Sequence, residues 1–424
     1  MTRTRDAIEA EDKLDVILAC RPVYTRNQDV AAFQILLHGQ QHESKPAQGA
    51  SLSDIEATNT VILATYNHVF QGGKTRAVPS FLKVTDEVLL ATELPDLPKK
   101  QYILEIPQHI LLTSELVDRL KGLARRGYRL AMEGYDPTDD ELDVLLDIVH
   151  IVKVDTRDNQ TDCLRTTAEK LRSHGVELLA DHIADRSQFQ RCMELGFDYY
   201  QGDFLSKPSP IKGKKIAGNK LLLLQLLTEL HSPDASPARL EEIAIKDASL
   251  TYRLLKTVNS AAMGLRREVN SLSDAIALLG LEEIKRWANL FLIDGEMDKP
   301  EALTRGMLIR GRMCEVLAEL SEQDGASRST SVNHFIVGLL SQLDALMDIA
   351  MPELMEQVPL SQEVKSALLE RRGPLGEVLD EVEAYEAGRF SDLTLLHERA
   401  YYEVAYRHST AWARQVQQAM DYQD

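Results

Sequence analysis

The sequence has little of what a membrane-bound or secreted protein needs. Its most apolar run, residues 221–227, is far shorter than the roughly 20 residues that cross a bilayer. The N-terminus is polar and charged, unlike the apolar core of a secretory signal. No CxxC pair occurs among Cys20, Cys163, Cys192 and Cys314, which argues against a disulfide framework or a zinc site. We therefore expect a cytoplasmic protein with no membrane partner.

Positive charge is also scarce. The chain has 48 Lys and Arg against 66 Asp and Glu, a net charge of −18. Because binding to phosphate backbones and anionic lipids requires a Lys/Arg surface, this balance argues against nucleic acid and membrane surfaces as partners. The 424 residues, 44% of them hydrophobic, are enough for two domains of about 200 residues.

Short β-rich runs alternate with helical patterns through the first half. The runs are 16–19, 32–37, 80–84, 102–106, 128–132, 149–154, 176–180 and 199–204. The helical patterns are 55–70, 114–126, 139–146, 162–173 and 186–195. Ser114 and Gly127 have the positions of an N-cap and a C′ residue around the second pattern. This alternation predicts an α/β fold, a (β/α)₈ TIM-like barrel whose first two strands form an antiparallel pair.

Active sites of such barrels lie at the carboxyl ends of the strands. The candidate site residues are therefore the polar residues near the end of each run. They are Gln34, His38, Lys83, Glu105, Glu133, Lys153, Asp155, Asp181 and Gln201.

The second half has a helical pattern throughout. It follows a stretch at 206–215 that is rich in Pro, Gly and Lys and is typical of a linker. The predicted helices are 220–230, 238–246, 250–259, 273–279, 281–292, 301–320, 332–349, 361–371, 375–387 and 392–420. We therefore predict a barrel domain over 1–210 and an all-α domain over 211–424.

Four motifs of the first half resemble the EAL-domain family, metal-dependent phosphodiesterases that hydrolyse cyclic di-GMP. They are LEI with Glu105, VKVD with Lys153 and Asp155, LLADHIAD with Asp181, and QGDFLSKP beginning at Gln201. The resemblance extends over about 200 residues. It implies a barrel whose mouth holds two divalent cations through oxygen ligands.

Several ligands implied by this resemblance are replaced. The family's Glu-Ala-Leu signature and trailing Arg correspond to residues 34–38, so the carboxylate becomes Gln34 and the phosphate-binding Arg becomes His38. An Asn ligand corresponds to Lys83. The family's Asp-Asp pair corresponds to Glu133 and Gly134.

Two further carboxylates differ, and four positions match. A Glu of the family is shortened to Asp181, and a second corresponds to Ala184. The matching residues are Glu105, Lys153, Asp155 and Gln201. We expect no bimetal centre and no cofactor, an ion pair between Glu105 and Lys153, and neutralisation of Lys83 by Glu105 or Glu133.

Two segments of the second half, 244–264 and 271–287, resemble the HDOD domain, a modified relative of HD metal-dependent phosphohydrolases. Ser341 and Gln342 stand where an HD enzyme has its His-Asp metal ligands. His334 and Asp344 lie ten residues apart, so they do not share a helix face as metal ligands would. We expect capping or packing roles for them. The HDOD family is regarded as a regulatory module.

The combination resembles the bacterial EAL–HDOD signalling proteins. We expect a catalytically inactive signal-transduction adaptor whose partners are signalling proteins, and the resemblance suggests a homodimer. One alternative is a receptor that binds cyclic di-GMP without hydrolysing it, against which the loss of positive charge at His38 argues. Another is a weak metal-dependent phosphodiesterase.

Overall fold

The protein is described by a computed structural model. It describes residues 16–39, 55, 68–71, 74–91, 93–94, 97–108, 110–157, 161–207, 229, 236, 240, 272–281, 283–284, 299–321, 328–357, 360–394 and 399–421. The chain divides into two compact units. The first takes the chain up to Lys207 and adds Tyr385–Ser391 and a stretch that ends at Val404. The second takes the rest.

The first unit contains a closed barrel of eight strands. The barrel strands are β1 (Val16–Tyr24), β2 (Val30–Gly39), β5 (Ser80–Lys83), β6 (Tyr102–Ile106), β7 (Arg129–Met132), β8 (Ile151–Asp155), β9 (Glu177–Ile183) and β10 (Tyr199–Gly202). Their order around the barrel is β1-β10-β9-β8-β7-β6-β5-β2. Strand β1 is antiparallel to both of its neighbours, and the other pairs are parallel. The predicted barrel with an antiparallel opening pair is confirmed.

A small hairpin outside the barrel corrects one prediction. Strands β3 (His68–Gln71) and β4 (Lys74–Ala77) pair antiparallel, with Val69 opposite Arg76. The helix predicted over 55–70 is therefore wrong at its C-terminal end, where period-2 pairing replaces helical packing. Ile55 is helical and buried.

The barrel interior has an apolar layer to which eight strands contribute one residue each. The buried members are Val23, Ala32, Phe81, Ile103, Ala131, Ile151 and Leu179, and the partly buried Tyr199 packs against them. Because side chains alternate along a strand, the next inward positions lie two residues away. This spacing fixes which residues line the barrel mouth.

Short helices follow several barrel strands. They are α1 (Asp86–Leu90), α2 (Ser114–Arg125), α3 (Asp143–Leu146), α4 (Thr161–Ser173) and α5 (Arg186–Glu194), with a 3₁₀ turn at Asp140–Leu142. The N-cap of α2 is Thr113, whose hydroxyl accepts from the Leu116 amide at 3.2 Å, so the prediction of Ser114 as the cap is wrong by one residue. Gly127 has φ of 89° beyond the helix end, as a C′ residue requires.

Residues near the C-terminus complete the first unit. The Tyr385 hydroxyl donates to the Leu18 carbonyl of β1. Tyr385 and Tyr402 stack with ring centroids 6.0 Å apart and an interplanar angle of 20°. Glu403 is buried and lies near Cys20 of β1, whose pKa is raised by burial and by that carboxylate.

The second unit is helical in its described part. Its helices are α6 (Leu272–Leu279), α7 (Glu301–Ser321), α8 (Arg328–Leu340), α9 (Leu343–Met347), α10 (Met351–Gln357), α11 (Gln362–Glu370), most of α12 (Gly373–Glu386) and most of α13 (Arg399–Asp421). A second 3₁₀ turn at Phe390–Asp392 lies between the last two. None of the helices described in either unit is long and apolar enough to cross a bilayer.

Helices α7 and α8 pack closely where Gly311 meets Gly338. A Cβ on Gly338 would lie 2.7 Å from the Arg310 carbonyl oxygen, so the backbones approach too closely for a side chain. The helix predicted over 332–349 is wrong in one respect, because α8 ends at Leu340 and α9 begins at Leu343. The linker at 208–215 and most residues of the helices predicted over 220–259 and 281–292 lie outside the described residues.

Candidate functional site

Each barrel strand places one inward polar side chain two positions beyond the apolar layer. The direction of β1 is opposite, so its contribution comes two residues before Val23. We call these eight residues the polar ring. They are Arg21, Gln34, Lys83, Glu105, Glu133, Lys153, Asp181 and Gln201. The structure therefore brings together seven of the predicted site residues. Asp155 lies at the end of β8, two residues beyond Lys153.

A buried ion-pair cluster forms the floor of the polar ring. Lys153 Nζ lies 2.7 Å from Glu105 Oε1 and 3.5 Å from Asp181 Oδ2. The Glu105 and Lys153 side chains are 0% and 2% exposed, so the expected pair is present and buried. Gln34 Nε2 donates to the other Glu105 oxygen at 3.3 Å. Both oxygens of Glu105 are thus engaged by protein groups.

The charges of this cluster shift one another's pKa. Burial lowers the pKa of Lys153, but Glu105 and Asp181 outweigh it and raise the pKa above its ordinary value. Burial raises the pKa of Asp181, yet Lys153, His182 and Arg21 bring the net pKa below its ordinary value. For Glu105, burial prevails and raises the pKa, with Lys153 opposing it. The ammonium is therefore held charged by the two carboxylates that it faces.

A second ion pair lies above this cluster. Lys83 Nζ is 2.5 Å from Glu133 Oε2, with the two side chains 26% and 24% exposed. Of the two neutralising partners expected for Lys83, Glu133 makes the direct contact. Asp155 is bound by Arg157, whose guanidinium reaches its carboxylate at 2.5 Å.

Sequence reasoning missed several residues at the mouth. Arg21 was found only once the antiparallel direction of β1 was counted. Arg157 follows Asp155, and nothing in the sequence pairs them in advance. His182 adopts a positive φ of 60°, and its Nδ1 lies 3.6 Å from both Asp155 Oδ2 and Asp181 Oδ2. A non-Gly residue in this conformation is costly and is held by its surroundings. The backbone amide of His182 donates to Asp181 Oδ1 at 2.7 Å.

The formal charges of the polar ring sum to zero. Its carboxylates are Glu105, Glu133 and Asp181. Its cations are Arg21, Lys83 and Lys153. At 4 Å and an effective dielectric constant of 20, two unit charges interact by about 4 kcal/mol, so a divalent ion beside one of these cations meets about twice that repulsion.

The residues of the ring therefore do not fit the two divalent cations that the EAL resemblance implies. Among the described residues, no three His, Cys, Asp or Glu side chains are grouped so that they could hold a metal ion.

Buried polar atoms without a hydrogen bond gather at the same mouth. Gln201 is 1% exposed, and neither its Oε1 nor its Nε2 has a hydrogen-bond partner. Thr85 Oγ1, just beyond β5, and His182 Nδ1 are also buried without a hydrogen bond. Gly202, the residue after Gln201, has φ of 146°, and a Cβ there would lie 2.2 Å from the Ile183 carbonyl oxygen. Gly202 thus allows β9 and β10 to approach where Gln201 turns into the mouth.

His38 belongs to β2, but its side chain lies outside the described part of the chain. Its membership of the candidate site therefore stays a prediction.

Ser341 and Gln342 occupy the turn between α8 and α9. The Ser341 hydroxyl donates to the Gly338 carbonyl at 2.8 Å and accepts from Arg310 at 3.0 Å. Arg310 also lies 3.2 Å from Glu383, which Arg371 contacts in turn. Ser341 thus belongs to a polar network that ties α7, α8 and α12 together.

The other two residues of this region lie on different helices. His334 is buried on α8, and Asp344 lies on α9, where burial raises the pKa of its carboxyl.

Fold and polar ring define a TIM-type barrel with a polar site at its strand ends, joined to a helical unit. Comparison with known families agrees in both halves of the chain. The EAL domain model matches residues 85–208, and the HDOD domain model matches residues 220–372.

Two relatives share much of the chain. It is 30% identical to the cyclic di-GMP phosphodiesterase CdgJ of Vibrio cholerae over 295 residues, which cover 68% of this chain and 67% of the relative. It is 26% identical to the uncharacterised protein YuxH of Bacillus subtilis over 400 residues, covering 92% and 95%. An EAL domain protein of Listeria monocytogenes is similar in structure, with 15% identity and a TM-score of 0.34 over 48% of this chain and 91% of the other. The chain belongs to the family of signal-transduction proteins that join an EAL domain to an HDOD domain.

Proposed function

We propose that this chain is a catalytically inactive member of the family and acts in cyclic di-GMP signalling as an adaptor that binds protein partners. The observation that carries this proposal is the ion pair of Lys83 with Glu133, two positions at which the family resemblance implies metal ligands and this chain departs from them. Hydrolysis by a bimetal centre needs carboxylates that are free to hold cations and generate a metal-bound nucleophile. Here the Lys83 ammonium stands at a ligand position and engages Glu133.

The helical unit supports the same proposal. Ser341 contributes a hydroxyl to a network with Arg310 and Glu383, where an HD hydrolase would need a metal ligand. The residues at both sites therefore favour binding over metal-dependent hydrolysis in this proposal.

Titration calorimetry with Mn²⁺ tests the proposal. We expect no saturable heat for the unmodified chain. The double variant Gln34→Glu with Lys83→Asn introduces two of the oxygen ligands that the family resemblance implies, and it is the matched comparison in which Mn²⁺ binding is expected to appear. Saturable binding of two Mn²⁺ ions to the unmodified chain at micromolar concentration would overturn the proposal.

A second candidate function is a receptor that binds cyclic di-GMP without hydrolysing it. The observation in its favour is the set of unpaired buried atoms at the mouth, since such atoms are costly unless a ligand or water satisfies them. Calorimetry with cyclic di-GMP decides it, with Gln201→Leu as the variant that removes two of those atoms. If heat is absent for the unmodified chain at high micromolar nucleotide, this candidate is eliminated.

A further inference from the structure

Four basic residues come just before two neighbouring strands, at the amino-terminal end of the barrel. Lys99 and Lys100 precede β6, and Arg125 and Arg126 precede β7. Because β6 and β7 are parallel and paired, the two basic segments reach the same edge of the sheet. This edge is opposite to the one that carries the polar ring. We call Lys99, Lys100, Arg125 and Arg126 the basic patch.

Contacts between the two basic segments show that they share one surface. Lys99 Nζ donates to the Arg126 carbonyl at 2.7 Å. The same Nζ lies 5.5 Å from the centroid of the Tyr128 ring, and the Arg126 guanidinium carbon lies 5.9 Å from that centroid. Two cations therefore approach one aromatic ring, which is itself only 6% exposed. Lys100 and Arg125 are the exposed chain neighbours of these two residues.

The positive charge of the basic patch is not neutralised within the described part of the chain. All four side chains are exposed, and none forms an ion pair with a described Asp or Glu. Arg129, at the start of β7, differs because Glu177 neutralises it. The end of α2 accounts for one of the four cations, since Lys99 binds a carbonyl there. The other three leave unbalanced positive charge on a chain whose net charge is −18.

We propose that the basic patch is a docking surface for an acidic peptide segment of a partner protein. The inference deepens the adaptor function proposed above and rests on it. Adjacent Lys and Arg side chains without carboxylate partners attract Asp and Glu side chains of another protein. Nucleic acids and anionic membranes extend far beyond four residues, so the acidic remainder of this chain repels them. A short acidic segment meets the patch and avoids that repulsion.

The experiment uses the full chain and a defined probe. The probe is a short labelled peptide of glutamate and serine, and its control has glutamine in place of every glutamate. Fluorescence anisotropy measures the affinity of both peptides at low and high salt. We expect the glutamate peptide to bind, with affinity falling as salt rises, and the glutamine peptide to bind at least about tenfold more weakly.

Two pairs of substitutions test whether the peptide binds at the basic patch. Lys100→Gln with Arg125→Gln removes two charges of the patch and keeps the contacts of Lys99. Arg165→Gln with Arg186→Gln removes the same charge at exposed positions on two other helices of the first unit. We expect the first pair to weaken binding of the glutamate peptide about fivefold or more, and the second to change it less than about twofold. Circular dichroism shows that each variant is folded.

Lysine acetylation provides a second readout that needs no substitution. The full chain is treated with acetic anhydride with and without the glutamate peptide, and mass spectrometry follows the modification of each lysine. At a peptide concentration of about twice its Kd, two thirds of the chain is bound, so acetylation of Lys100 should slow about threefold. Lys207, which is exposed at the end of the barrel segment, should react at an unchanged rate.

Equal effects of the two pairs of substitutions would overturn the inference, as would equal binding of the two peptides or equal protection of Lys100 and Lys207. Vesicles of phosphatidylserine and phosphatidylcholine test the membrane alternative. If the chain binds these vesicles through Lys100 and Arg125 but does not bind the glutamate peptide, the inference is also overturned. The adaptor proposal fails separately: if the chain hydrolyses cyclic di-GMP, that proposal falls whether or not the peptide binds.

Discussion

Replacing Lys153 with methionine is expected to destabilise the barrel by about 3–5 kcal/mol. Lys153 is 2% exposed and lies 2.7 Å from Glu105, which is 0% exposed. Methionine fills similar volume but leaves the Glu105 and Asp181 carboxylates without the ammonium that they share. The cost therefore comes from uncompensated buried charge, with little contribution from a cavity.

The loss should depend on pH. Glu105 already has a pKa above its ordinary value of 4.5 because of burial, and Lys153 opposes that rise. Without Lys153 the folded pKa rises further above the unfolded one. A carboxyl with a raised folded pKa stabilises the fold fully below its unfolded pKa and loses that contribution as the pH rises toward the folded value. The difference in the free energy of unfolding between the variant and the unmodified chain should thus be small near pH 4 and largest at pH 8.

Hydrogen exchange measured by mass spectrometry is the suitable assay, because it reports β6 and β8 separately from the helical unit. Both tryptophans, Trp287 and Trp412, come after residue 207, so their fluorescence does not follow the barrel. A loss of 3–5 kcal/mol corresponds to exchange faster by roughly two to four powers of ten.

Two comparison variants sharpen this test. Lys153→Met with Glu105→Gln removes both charges and should restore most of the stability. Lys83→Met breaks the more exposed pair and should cost less than about 1 kcal/mol. The account of a buried ion-pair cluster whose members depend on one another would be refuted by either of two results for Lys153→Met. One is a loss of stability below about 1 kcal/mol at pH 8, and the other is a loss of stability that does not change with pH.

Three further predictions concern single positions. Gly202→Ala should destabilise the barrel by about 3 kcal/mol or more in the same exchange assay, because its Cβ would clash with the Ile183 backbone. The control is Gly175→Ala, where φ is positive but no atom lies within 4 Å of the new Cβ, and it should cost about 1 kcal/mol. Burial raises the pKa of Glu403 from 4.5 to about 7, so the fold loses stability as the pH rises between these values. Glu403→Gln should then stabilise the chain at pH 8 by up to about 3 kcal/mol, measured by urea denaturation, and a variant no more stable than the unmodified chain would contradict the buried, unpaired state. Asp181 has a lowered pKa, so its carboxylate stabilises the fold above its unfolded pKa, and this contribution is lost as the pH falls through the folded pKa. In Asp181→Asn the free energy of unfolding should therefore fall less steeply below about pH 4, as measured by acid denaturation.

The barrel could be predicted from sequence because its strands are short apolar runs bounded by turns. The hairpin of β3 and β4 was missed although its sequence contains Gly-Gly at 72–73, a turn signal between two four-residue strands. The break between α8 and α9 carries no Gly or Pro, so periodicity alone extended one helix across Ser341. The break depends on how the two helices pack, and the pattern of apolar residues along the sequence carries no information on that packing.

The positions of the site and its Glu105–Lys153 pair could be predicted, but the rest of its pairing could not. A period of two from the apolar layer places Gln34, Glu105 and Asp181 in the ring, and the strand ends identified them. Which carboxylate neutralises Lys83 depends on distances around the barrel that a sequence does not give. The positive φ of His182 likewise follows from the contacts that hold it.

The central claim is that Lys83, paired with Glu133, stands where metal ligands would be needed, so that no bimetal centre forms. One measurement tests this claim most directly. The full chain is incubated with cyclic di-GMP and Mn²⁺, and the linear dinucleotide is quantified by chromatography. The account predicts no product above the level without protein. Linear dinucleotide formed at a rate that Glu105→Gln abolishes would contradict it.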